Sequence, residues 1–468
     1  MLMAGAGDTQ GGTKVNRRTF VKGSAAAALT AASWSRVYGA NERIGVGMIG
    51  VGLIGRIHLR NFLKLPDADI VAVSEAYEPR MEAAAKLIGK PITRYPDFRK
   101  LLESKDIDAV VVGTQDHWHG LMTMMACAAG KDVYVEKPMT LFVREGRWMT
   151  EVAKRHGRVV QVGTQQRSGL NYQNARQLIQ EGYLGDIIAV QVSYFRNTMP
   201  GWGSPPDQDP PPGLDWEMML GPAPEHRYNP LRGIYHFRWF WDYSGGQMTN
   251  LGQHSLDIVH WIMGVDGPTA VSSTGGRFSL KDICDVPDTQ DVLLEYPGFV
   301  VNVQYREATS MPSGSGMGGL VFQGTKGSMV LGRAGYEVFP SPKRNPTNIV
   351  AAIIGGHPVG GPQPVDEPEG QTWTDPATMA GDWQEQYVMH EQNFLDCIKS
   401  RKTPIAPVES GHQVVTACHL SNISLRLNRK ITWDAEKEEI VGDAEASKML
   451  ARPYRSPWDK ELASLKVT

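Results

Sequence analysis

The sequence predicts an α/β protein that opens on a doubly wound parallel sheet. Three observations predict it. The apolar run Ile44–Ile49 leads straight into Gly50-Val51-Gly52-Leu53-Ile54-Gly55. Short apolar runs then alternate with helical patterns to about residue 165. Polar clusters follow several of those runs, where ligands gather at the C-terminal ends of parallel strands.

Residues ahead of the first strand read as an address. Residues 1–13 are small and polar, and Asn16-Arg17-Arg18-Thr19-Phe20-Val21-Lys22 precedes an apolar, Ala-rich run from Gly23 to Ala32. A basic stretch, a short apolar run and small residues make a signal-peptide pattern. The paired arginines before Phe20 and Lys22 resemble the twin-arginine type. The expectation is periplasmic export by the twin-arginine machinery. Residues 1–40 would be the signal or an N-terminal arm, with cleavage after Ala32 or near Gly39-Ala40.

The first strand, the glycine motif, a helical pattern through Ile57, Leu59, Phe62 and Leu65, and the strand Ile70–Ser74 ending at Glu75 make a dinucleotide-binding Rossmann unit. Gly50 permits the tight turn, Gly52 lets backbone approach the pyrophosphate, and Gly55 lets the helix pack on the strand. Leu53 and Ile54 open the helix whose free N–H groups face the phosphates. Glu75 lies where a carboxylate accepts from ribose hydroxyls. It would repel a 2′-phosphate, which favours NAD; NADP stays open because Arg80 is close. A dinucleotide used outside the cytoplasm, where it is scarce, would have to be loaded before export and bound tightly.

The rhythm continues with helices over Pro79–Ile88 and Asp97–Glu103, a strand over Ala109–Val112 and a helix over His119–Ala129. Then come a strand over Val133–Val135, a helix over Leu141–Arg155 and a strand over Val159–Val162. Three loops at strand ends carry polar clusters: Thr114, Gln115, His117 and His119; Glu136, Lys137 and Pro138; Gln165 and Arg167. Thr114, Gln115, His117, His119, Glu136, Lys137 and Gln165 are expected at the cofactor and Arg167 at the substrate. For the two histidines the alternative is a helix start capped by Asp116.

Residues 196–233, rich in Pro, Gly and Trp, read as a long irregular insertion that binds or docks. Tyr235–Tyr243 is densely aromatic, which suits the apolar faces of sugar rings; core packing is the alternative. Arg238, Trp241, Asp242 and Tyr243 are the expected substrate contacts there. Asn250, His254 and Asp257 follow at helical spacing, which puts Asn250 and His254 on one face. Thr269–Gly276, Thr289–Tyr296 and Val300–Ala308 alternate like half-buried strands, and Val321–Met329 reads as a hairpin. Gly355–Pro376 reads as loop. Trp383–Lys399 and Val408–Leu427 read as helices, the second packing back on the first domain.

A net charge of −2 with Lys and Arg dispersed argues against nucleic acid as a partner. No apolar run beyond the signal is long enough to form a stable membrane span. The four cysteines, Cys127, Cys284, Cys397 and Cys418, lack zinc-ligand spacing, so no metal is expected. They read as buried small side chains, with a Cys397–Cys418 bridge left open.

The glycine motif, Glu136-Lys137-Pro138 after a strand, Gly245–His254, Asn393–Ile398 and Gly411-His412 resemble the Gfo/Idh/MocA family. That family contains glucose–fructose oxidoreductase and inositol dehydrogenase. The resemblance runs from about Arg43 to Asp434. It implies a Rossmann domain, here 41–165, and an α/β domain with a large, mainly antiparallel open sheet, here 166–440, before a tail over 441–468. It implies a homodimer or homotetramer, a small carbohydrate substrate and a catalytic lysine at Lys137. The family's Asp–His pair maps onto Asn250 and His254. An amide takes no proton as a carboxylate does, so an Asp–His relay is not expected here.

Hydride transfer needs a base for the hydroxyl proton, and Lys137, partly desolvated, is the expected one, with His254 as base or relay. Three functions follow. The first is an exported oxidoreductase acting on a sugar, glycoside or polyol hydroxyl. The second is an NAD-dependent glycosidase that oxidises transiently, like glycoside hydrolase family 109, which shares the fold. The third is a non-catalytic nucleotide sensor, against which Lys137 and His254 argue.

Overall fold

The computed structural model describes residues 43–310, 319–343 and 371–467. The expected twin-arginine segment, its cleavage points and residues 355–370 of the expected loop lie outside the described residues.

Six strands form the first sheet: β1 (Ile44–Ile49), β2 (Ala68–Ser74), β3 (Thr93–Tyr95), β4 (Ala109–Val112), β5 (Asp132–Val135) and β6 (Val160–Val162). Their order is 3-2-1-4-5-6 and the paired registers are parallel, as in a dinucleotide-binding sheet. β1, β4 and β5 are buried along their whole length, which is why they read as unbroken apolar runs. Helices α1 (Leu53–Phe62), α2 (Glu78–Ile88), α3 (Phe98–Leu102), α4 (Asp116–Ala128) and α5 (Val143–Arg155) connect them. Helix α4 starts at Asp116, ahead of the predicted His119. Asp116 is therefore not the cap, and its carboxylate accepts instead from the Ser244 hydroxyl.

Helix α6 (Leu170–Gln180) leads into a ten-stranded sheet. Its strands are β7 (Ile187–Phe195), β8 (Ala270–Gly276), β9 (Thr289–Tyr296), β10 (Phe299–Arg306), β11 (Leu320–Gly324), β12 (Gly327–Gly332), β13 (Gly335–Pro340), β14 (Thr378–Ala380), β15 (Ile431–Asp434) and β16 (Glu439–Ile440). The order is 14-13-12-11-7-10-9-8-15-16. Only β7 and β10 pair in parallel; the other recorded registers are antiparallel. Alternate residues of β10 are buried, so one face of the sheet carries the core.

Helix α7 (Trp216–Leu220) belongs to the insertion, and α8 (Gly246–Asn250), α9 (Gly252–Met263), α10 (Trp383–Ser400) and α11 (Val408–Leu427) follow it. The core face of the sheet is covered by α6, α8, α9 and α11, whereas α10 packs Phe394 against Tyr134 of the first domain. The continuous helix predicted over Asn250–Asp257 kinks at Leu251. A Cβ on Gly252 would lie 3.2 Å from both Met248 Cε and the Tyr305 hydroxyl, so glycine lets α9 start against β10. Helix α11 packs Val414, Cys418 and Leu420 into the second core while Val415 enters the first. It joins the two domains, in line with the expectation that it packs back on the first.

The insertion is irregular apart from α7. Most of the aromatic run buries itself: Phe237, Trp239, Phe240 and Tyr243 fill a small core with Trp216 and Tyr228. After residue 441 come two short helices, α12 (Ala444–Ser447) and α13 (Trp458–Ser464), and Trp458 packs between Phe98 and Trp118. All four cysteines are buried free thiols, so there is no Cys397–Cys418 bridge. Among the described residues no helix is long and apolar enough to cross a membrane, and no group of three His, Cys, Asp or Glu side chains is set to hold a metal.

Candidate active site

The glycine turn is built as its sequence requires. Gly50 has φ +82°, and its N–H donates to Ser74 O at 2.8 Å, tying β1 to β2. A Cβ on Gly55 would lie 2.1 Å from Gly50 O, so only glycine lets α1 approach the turn. The Glu75 carboxylate accepts from Val51 N–H at 3.0 Å and from Tyr77 N–H at 3.2 Å. Burial raises its pKa, and Arg80 and these backbone donors oppose that rise only in part.

A cleft runs from this turn along the strand ends. Gly50, Gly52, Leu53, Ile54, Glu75, Arg80, Thr114 and Gln115 line one side. The insertion supplies the other through Met218 and Met219, together with Ile234, Tyr235, Phe237 and Arg238 of the segment that follows it. Both are fastened there by an antiparallel bridge between Tyr77 and Leu214 and by Arg80, which donates to Ile234 O at 3.2 Å. Bare backbone at Gly50 and Gly52, a helix N-terminus beside them and a carboxylate at the end of β2 fit a dinucleotide: phosphates against the turn, ribose hydroxyls against Glu75. Gly50→Ala would force an L-residue into the left-handed region with its Cβ 2.8 Å from Gly113 backbone. We expect it to weaken NAD binding by about 5- to 150-fold in a fluorescence titration, for a strain cost of ~1–3 kcal/mol.

Lys137 stands beyond this cleft, half-buried at the end of β5. Its Nζ donates to Asn250 O at 3.1 Å and to Asn250 Oδ1 at 3.2 Å. Asn250 Nδ2 donates to Gln247 Oε1 at 3.0 Å, which turns its carbonyl oxygen toward the lysine. Burial lowers the Lys137 pKa to about 8; Glu136 opposes this, and Arg238 and Arg333 add to it. The buried His254 is pushed well below its usual pKa by burial and by the cations Lys137 and Arg333, so it is a neutral imidazole. Its Nε2 lies 3.4 Å from an Arg333 nitrogen.

Glu136 and Gln165 act behind the lysine rather than in the cleft. Glu136 Oε1 accepts from His58 Nε2 at 2.8 Å and from Gln165 Nε2 at 2.9 Å, while Oε2 accepts from the Lys137 N–H at 3.1 Å. His58 also donates from Nδ1 to Glu391 at 2.7 Å. Burial alone would lower the His58 pKa, but the two carboxylates lift it to about 9. The buried cation thus ties α1, the lysine loop and α10 together. Sequence reasoning missed His58 and Glu391; a polar residue on the apolar stripe of α1, between Ile54 and Phe62, was the available signal. It also missed Arg333, for which no signal exists in the sequence.

Several predicted contacts are corrected. His117 does not line the cleft; its Nε2 bonds to Met219 O at 3.1 Å, and burial lowers its pKa to about 3. His119 donates from Nδ1 to Pro138 O at 2.6 Å and supports the lysine loop from behind. Arg167 is buried in a bidentate pair with Asp257 at 2.7 and 2.8 Å, not at a substrate. Asp242 is occupied by His226 at 2.8 Å and Arg452 at 3.3 Å. Tyr243 packs in the insertion core against His117. Trp241 lines a separate small cavity with Arg426 over its ring. Of the predicted substrate contacts only Arg238 reaches the cleft.

Comparison with known proteins places the chain in a family. Residues 44–164 match an oxidoreductase family's NAD-binding Rossmann fold, and residues 164–351 and 380–460 match that family's C-terminal alpha/beta domain. The chain is 25% identical over 370 residues to scyllo-inositol 2-dehydrogenase (NAD(+)) of Bacillus subtilis, covering 78% of this chain and 89% of that one. Levoglucosan dehydrogenase in complex with NADH and levoglucosan superimposes with a TM-score of 0.60 at 19% identity, over 83% of this chain and 99% of the other. Scyllo-inositol dehydrogenase from Lactobacillus casei, with bound NAD(H) and scyllo-inositol, gives 0.58 at 19% identity, again over 83% and 99%. These two likenesses describe the fold. The family match spans both domains, the glycine turn and the lysine loop: the chain belongs to the Gfo/Idh/MocA oxidoreductase family and carries its NAD-binding Rossmann domain.

Proposed function

We propose that the protein oxidises or reduces a CH–OH group of a sugar, glycoside or polyol, using NAD held in the cleft. The observation that carries this reading is the bonding of Lys137. An amine that donates two hydrogens to the two oxygens of Asn250 has its lone pair directed away from both. That lone pair is free for a substrate hydroxyl, and a pKa of about 8 makes it available near neutral pH. NAD, when bound, supplies the hydride acceptor. Lys137 Nζ takes the hydroxyl proton, Asn250 orients the amine, and neutral His254 hydrogen-bonds the substrate without competing for the proton.

The asparagine also bears on rate. A carboxylate at that position would hold Lys137 charged, whereas a neutral amide lets its pKa fall. Turnover in the oxidation direction should rise with pH and level off above about 8. Asn250→Asp should move that limb to higher pH. A pH profile of kcat for both proteins checks this.

The reading extends to three points. The protein is exported by the twin-arginine route to the periplasm, it keeps its cofactor through turnover, and it works as a homodimer or homotetramer. The arginine pair in residues 1–40 supports the first, the insertion across the cleft the second and the open sheet face the third. A held cofactor favours cycles that return to their starting redox state. These are either ping-pong use of a second substrate or transient oxidation of a glycoside with release of its aglycone. Purified protein incubated with glycosides and monosaccharides, with nicotinamide absorbance and aglycone both followed, separates them. Aglycone release without net absorbance change indicates the glycosidase; a keto product indicates the dehydrogenase; silence in both, despite bound nucleotide, refutes catalysis.

A further inference from the structure

Arg333 sits at the tip of the β12–β13 hairpin, in the two-residue turn between Gly332 and Gly335. The turn is fixed from both sides: Asn171 Nδ2 donates to Gly332 O at 2.9 Å and Gly381 N–H donates to Ala334 O at 2.8 Å. The guanidinium lies 3.4 Å from His254 Nε2 and 6.0 Å over the Tyr387 ring. Both partners are uncharged. No carboxylate lies within ion-pair distance of Arg333 among the described residues. Some arginines of the same domain are matched, Arg167 with Asp257, Arg196 with Glu307 and Arg306 with Asp291, whereas Arg176 and Arg238 spend their guanidinium on the backbone carbonyls of Trp261 and Tyr235.

A half-buried guanidinium, held rigidly beside the reacting end of a site and lacking an anion, is an anion receptor. The glycine turn that receives the cofactor's phosphates belongs to the other domain, whereas Arg333 shares its environment with His254. We propose that Arg333 receives a carboxylate on the substrate, so that the preferred substrates are acidic sugars such as uronates or aldonates. This rests on the reading of Lys137 as the redox site. The carboxylate is unchanged by the reaction, so the balance is that of the alcohol oxidation proposed above.

The test uses the full-length protein with Arg333→Met and Arg333→Lys. kcat/KM is measured for D-glucuronate and D-gluconate against D-glucose and myo-inositol, together with the NAD dissociation constant. The expected result is a preference for the acids and a loss of about 100-fold or more on them in Arg333→Met, as for a truncated charge partner. NAD binding changes less than about threefold, the loss on neutral sugars is at least about tenfold smaller than that on the acids, and Arg333→Lys recovers part of the loss on the acids. Equal losses on both sugar classes, a wild-type preference for neutral sugars, or weakened NAD binding would overturn the proposal. If no sugar is turned over, calorimetry with D-glucuronate decides. Binding that Arg333→Met removes keeps the receptor and refutes the redox reading; no binding refutes the receptor.

Discussion

Lys137→Met should retain NAD and lose turnover by about 10³-fold, the middle of the range for a positioned proton acceptor. Methionine keeps the length and apolar stem of lysine, so the loop after β5 keeps its packing. What is lost is the amine that bonds both oxygens of Asn250. The nucleotide cleft is lined by other residues, so its affinity should stay within about twofold, well under 1 kcal/mol. Steady-state kinetics beside a nucleotide titration measure the two separately. Turnover within a few-fold of wild type would remove Lys137 from the mechanism.

Asp257→Ala should be the most damaging single change to stability, costing about 3–5 kcal/mol. Arg167 and Asp257 are 4% and 1% exposed, and Arg167 is anchored further to Ile405 O at 3.1 Å. Deleting the carboxylate strands a guanidinium where water cannot reach it. Removing both charges, as in Arg167→Met with Asp257→Leu, should recover most of the loss, because the penalty is that of an unpaired charge. Urea unfolding midpoints report both. If Arg167 instead served a substrate, Arg167→Met would raise KM while leaving the unfolding midpoint in place.

The first domain was legible because its physics is local. Buried parallel strands must be apolar throughout, and a Gly at φ +82° followed by a glycine that α1 needs for close approach leaves few other readings. The lysine loop was legible for the same reason, standing at the end of such a strand. What failed depends on partners far along the chain. Arg167 lies 90 residues from its carboxylate. His117 is filled by Met219 O, 102 residues on. The aromatic run offered sugar-stacking faces and core-filling bulk equally well, and only the fold of the insertion decides that Phe240 and Tyr243 are core. The kink at Leu251 was hidden because Asn250 and His254 keep helical spacing across it. Arg333 was invisible because a two-residue hairpin tip carries no chemical signature of where it points.

The cleft's second wall belongs to the insertion and the segment that follows it, and that wall makes nucleotide binding and folding a single linked equilibrium. Met218, Ile234 and Phe237 contribute to the cleft only while their segment is seated against Tyr77 and Arg80. A ligand that recognises the seated form alone stabilises it by mass action, and the seated segment returns the same free energy as slower ligand escape. Vacating the nucleotide and loosening the segment are therefore coupled, each favouring the other by the same free energy.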